Sequence, residues 1–69
     1  MNKFEFEAAA TEVITENFGI DADFYAGTLF TVCSSAVAAR IQTLLIERMK
    51  CGVIVSKVGP ETAFDFVGV

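Results

Sequence analysis

Two stretches of the chain repeat their apolar residues with the period of a helix. Over residues 3–18, stepping about 100° per residue places Phe6, Ala9, Ala10, Val13 and Ile14 on one side and Glu5, Glu12 and Glu16 on the other. Asn2 and Glu5 stand in capping-box spacing, so each can satisfy a free amide at the helix start. The run Ala8 to Ala10 favours helix intrinsically, and Gly19 follows where a left-handed cap ends one. Residues 35–50 repeat the pattern more strongly. Val37, Ala38, Ile41, Leu44, Leu45 and Met49 share a face; Arg40, Thr43, Glu47 and Lys50 share the other. Ser34 and Ser35 offer N-caps, Arg48 and Lys50 suit the C-terminal end of the helix dipole, and Gly52 supplies a stop.

Elsewhere the period drops to two. Thr28 to Val32 is rich in β-branched and aromatic residues after Gly27, which predicts a strand over 28–32. The segment 53–67 reads as a β-hairpin with strands Val53–Val58 and Thr62–Val67. Gly59-Pro60-Glu61 lies between them, with Pro60 suited to the first corner of the turn. In the second strand Phe64 and Phe66 point one way while Ala63, Asp65 and Val67 point the other. Residues 20–27 read as a connection, in which Phe24 and Tyr25 are unusually apolar for a loop and are expected to plug the end of the core. No internal repeat appears.

The expected fold is therefore α+β: a two-layer α/β sandwich in the order α-β-α-β-β, with a three-stranded sheet and two helices on one face, all within one domain spanning 1–69. A right-handed β-α-β crossover between the first two strands is one available connection. A sheet of this kind leaves two edges open, and a face wherever no helix covers it.

Composition sharpens that expectation. Of the 69 residues, 54% are hydrophobic, too many for a disordered chain and more than one small core readily hides. Extra apolar surface must be covered by something, so a homo-oligomer is expected. The surfaces singled out for contact are Phe24 and Tyr25 in the connection and Phe64 and Phe66 in the hairpin. The net charge of −4 is uneven: residues 1–27 carry −5 and residues 28–69 carry +1. An acidic segment of that kind suits a protein partner with a basic surface. It disfavours nucleic acid, whose binding needs clustered cations. No stretch approaches a membrane span in length, and Glu5 and Glu7 interrupt any targeting signal, so a cytoplasmic protein is expected.

Candidate chemistry is sparse. Without histidine, Ser-His-Asp and Cys-His sets are impossible, so an enzyme is the less favoured class and no metal or cofactor is expected. Cys33 and Cys51 flank the second helix, about 27 Å apart along it, which forbids a disulfide and suits free thiols in a reducing compartment. Cys33-Ser34-Ser35, before a helix and followed by Arg40, resembles the phosphate-binding loop of cysteine-dependent phosphatases. That family places five residues between Cys and Arg and uses a Gly-rich loop. This chain has six, with Ala36, Val37 and Ala38 among them, so a packed cysteine beside serine caps is the expected reading. Function is accordingly read as a small acidic protein-interaction module, homo-oligomeric, in the manner of viral and phage accessory proteins. The alternative is a protein that binds or transforms a small anionic ligand, held by Ser34, Ser35 and Arg40 at the helix start or at a dimer interface.

Overall fold

The computed structural model describes residues 2–68. Helix α1 (Lys3–Phe18) leads into a hairpin of β1 (Ala22–Tyr25) and β2 (Thr28–Thr31). Helix α2 (Ser35–Met49) leads into a second hairpin of β3 (Gly52–Val58) and β4 (Glu61–Val67). All pairings are antiparallel and the sheet order is β1-β2-β4-β3. The class is α+β as expected, but the sheet has four strands and the order is α-β-β-α-β-β.

The additional strand is β1, drawn from the segment read as a connection. Its side chains alternate half-buried Ala22 and Phe24 with exposed Asp23 and Tyr25, which is a strand pattern four residues long. The turn that closes it, Ala26-Gly27, has φ of 51° and 84°. Two-residue hairpins that match the twist of their strands need such positive values. No direct crossover joins neighbouring strands either. The strands flanking α2, β2 and β3, run parallel to each other with β4 inserted between them. The second hairpin turns on two residues, with Gly59 at φ 61° taking the first corner and Pro60 the second, while Glu61 already pairs with Val58. A glycine is needed at that first corner because the primed turn requires a positive φ there.

The helix ends follow local chemistry. The Asn2 side chain accepts the Glu5 amide at 2.9 Å, and the Asn2 amide donates to Glu5 Oε1 at 3.1 Å. Gly19 caps α1 in the left-handed conformation, its N–H donating to the Thr15 carbonyl at 3.1 Å. Ser34 caps α2 through the Val37 amide. Helix α2 closes one residue earlier than expected, because Lys50 itself takes the left-handed cap and Gly52 opens β3.

Both helices bury their apolar stripes on one face of the sheet. Ala10, Val13 and Ile14 from α1 and Ala38, Ile41 and Leu45 from α2 form one cluster with Leu29, Val53 and Phe64. Two threonines enter this layer. Thr31 donates to the Asp21 carbonyl, and Thr62 accepts from the Cys33 thiol at 3.7 Å. Among the described residues no buried side-chain nitrogen or oxygen lacks a partner, so the small core carries no polar debt.

The element order contains a symmetry that the sequence conceals. Each half is a helix followed by a hairpin. Exchanging the halves, β1 for β3 and β2 for β4, returns the same sheet order read from the other end. The halves meet at β2 and β4, with the Phe30–Ala63 pair inside that seam and Leu29 opposite Phe64.

Candidate docking face

Strand alternation sends half of each strand to the side without helices. On β1 these are Asp23 and Tyr25; on β2, Thr28 and Phe30. Central β4 presents Glu61, Ala63, Asp65 and Val67, and outer β3 presents Ile54, Ser56 and Val58. Val32 follows β2 directly. Its neighbours Thr31 and Cys33 both reach the helix-covered side, so Val32 projects from the other.

This open face is where the apolar excess resides. The large hydrophobic residues left exposed among the described residues are Phe4, Tyr25, Val32, Ile46, Ile54, Val58 and Val67. Five of these seven belong to the open face, and only Phe4 and Ile46 lie on helices. Their exposures run from 49% at Val67 to 76% at Tyr25. Exposed hydrophobics scattered over a whole surface are ordinary; here five share one face, with Thr28 and Asp65 between Tyr25 and Ile54 and Ser56 between Ile54 and Val58. Ala63 lies at the middle of the face with only 2% exposure, walled in by its neighbours, while Ile54, Val58 and Val32 stand exposed around it.

The charges on this face are of one sign. Asp23, Glu61 and Asp65 all point outward, and among the described residues no lysine or arginine does. Lys3, Arg40, Arg48 and Lys50 belong to the helices and their caps, and Lys57 alternates to the helix side of β3. Asp65 is held in place by the Thr28 hydroxyl, which donates to its Oδ1 across the β2–β4 seam. Such charge-assisted bonds are short and orient the carboxylate.

The aromatic residues singled out from the sequence divide between the two sides. Phe64 is fully buried in the core. Phe66 stands on the helix side between two rings, edge-on to Phe6 at 5.1 Å and stacked with Phe24 at 5.9 Å. These three close one end of the core, the plugging role expected of Phe24. Tyr25 alone of the four stands on the open face. Ile54, Val32, Val58 and Val67 complete the patch, and the signal for them was the period-two alternation within strands already recognised.

The residues proposed for an anion are not gathered together. The Ser34 hydroxyl is occupied by the Val37 amide at 3.2 Å. Ser35 lines a groove of about 360 Å³ between α2 and β3, shared with Gln42 and Lys57. Arg40 is turned to a separate depression, its guanidinium 5.9 Å from the centre of the Phe18 ring. Gln42 bridges α2 to the outer strand, its Nε2 donating to the Val53 carbonyl at 2.7 Å. Cys33 and Cys51 are free, and burial pushes the Cys51 thiol up from its ordinary value. Among the described residues no group of three or more His, Cys, Asp or Glu could hold a metal ion, and no helix is long and apolar enough to cross a membrane.

Compared with protein-family models, curated protein sequences and solved structures, the chain matches none.

Proposed function

We propose that this chain is a small acidic protein-interaction module whose working surface is the open face of its sheet. The observation that carries this reading is the concentration of five of the seven exposed large hydrophobics on that face. A four-stranded sheet with strands of four to seven residues presents a face roughly 15–20 Å on a side. That footprint, about 225–400 Å², is smaller than each partner contributes to a stable complex and suits a short peptide segment or a transient contact. The helices turn their apolar stripes to the core and leave one large hydrophobic exposed on each, Phe4 and Ile46.

The test is site-specific photo-crosslinking in the native cell. A photoreactive side chain replacing Ile54 is expected to give a discrete adduct of defined mass. The same group replacing Thr43, exposed on α2, is expected to give none. Equal labelling from both positions, or none from position 54, would discard the reading. An adduct between two copies of the chain would assign the surface to self-association, the homo-oligomer expected from composition.

A further inference from the structure

We infer that the occupant of the open face is a cationic amphipathic helix of another protein, not a second copy of this chain. This rests on the face being the working surface. Charge decides between the occupants. Two copies packed face to face would bring their sheets to about 10 Å. Glu61 and Asp65 on central β4 of each copy would then be brought against the same pair of the other, with Asp23 at the edge and no cation on either face among the described residues. Like charges brought together at a dehydrated contact are strongly unfavourable. The same three carboxylates set among Ile54, Val32 and Val58 complement a surface that alternates apolar residues with lysine or arginine.

The geometry favours a helix as the carrier. Glu61 and Asp65 are four residues apart on β4, about 13 Å. Cations seven residues apart on a helix are separated by about 10.5 Å, a gap that flexible lysine stems span readily. Ala63, paired with Phe30 on β2 and Ser56 on β3, is the small residue at the middle of the sheet, and a helix lying along β4 would pass over it between Glu61 and Asp65. A helix there would form a third layer, covering the face opposite α1 and α2. Anionic membrane surfaces are disfavoured by the same carboxylates.

The experiment uses the full chain and a synthetic probe. The probe is a leucine–lysine peptide of about 18 residues at amphipathic helical spacing, long enough to hold a helix. Its control replaces every lysine with glutamate. The protein alone is expected to sediment as a monomer at micromolar concentration. The lysine peptide is expected to bind, with amide chemical-shift changes centred on Ile54, Ala63 and Val32, and the glutamate peptide is expected not to bind. The double variant D23N/E61Q alters two exposed side chains and is expected to keep the fold, as an unchanged amide spectrum would show. It is expected to weaken the peptide roughly fivefold, with a shallower dependence on salt. Four results would overturn the inference: shifts centred on the Glu12 and Glu16 face of α1, equal affinity for the two peptides, no binding, or a dimer joined through the sheet face. Adducts at position 54 alongside any of these would leave the working surface standing and remove only the chemistry assigned to its partner.

Discussion

The two faces of this sheet are built from the same strands and alternate residue by residue, yet they meet different fates. On one side Leu29 and Phe64 face each other across the central seam at 0% exposure, beneath both helices. On the other, Ile54 and Val32 remain 57% and 65% exposed. The polar residues differ as well. The buried ones on the covered side, Thr31 and Thr62, are neutral and internally satisfied. Those on the open side include three carboxylates directed outward. Apolar content alone therefore does not distinguish the covered face from the open one; the accompanying polar groups do. The covered side holds threonines that bond within the chain, whereas the open side keeps carboxylates at the surface, Asp65 among them steadied by the Thr28 hydroxyl.

Substitutions on the two faces should separate them by magnitude. Phe64→Ala is expected to cost about 3–5 kcal/mol, which for a chain this small abolishes cooperative unfolding in urea. Gln42→Ala, which releases the Val53 carbonyl on the covered side, is expected to cost about 1 kcal/mol by the same measurement. Ala26→Gly lies at the sheet end, outside both layers, and changes sign. It relieves a left-handed alanine at φ 51° and should stabilise by roughly 0.5–1 kcal/mol. Ile54→Thr, on the open face, is expected to stay within about 0.5 kcal/mol, and a loss comparable to that of Phe64→Ala would show that the two faces are energetically alike.

The smallest effect concerns Cys51. Burial favours its protonated form, so the folded chain holds a proton that the unfolded chain releases. The resulting contribution is complete below the ordinary thiol range and falls as pH rises through it. Iodoacetamide at mildly alkaline pH should therefore label Cys51 more slowly in the folded protein than in urea.

Both helices were legible because their apolar stripes run for four turns and each is bounded by a recognisable cap. The β3–β4 hairpin was legible for a similar reason, since seven-residue alternation on each side of Gly59-Pro60 leaves few alternatives. Strand β1 was not. It is four residues long, its outward positions start with an aspartate, and its turn uses Ala26 where asparagine would have announced a hairpin. Missing it also misplaced Phe24 and Tyr25 together. In a loop they read as one aromatic cluster, whereas a strand sends them to opposite faces. The candidate face was legible only in part. Its outward residues follow from alternation, but their convergence depends on β4 lying between β2 and β3, a long-range pairing that local pattern does not encode.

That pairing also sets the order of events when the chain folds. Each helix and hairpin closes over short sequence distances, and isolated hairpins form in roughly 1–10 μs. The β2–β4 seam instead joins residues such as Leu29 and Phe64 from separate halves. Until it closes, each half exposes an unpaired inner strand that fits the complementary half of any neighbouring chain equally well. The linker at residues 32–34 is the hinge on which this choice turns. Crowded refolding should consequently yield dimers with exchanged halves, preserving every native strand pair while joining two molecules.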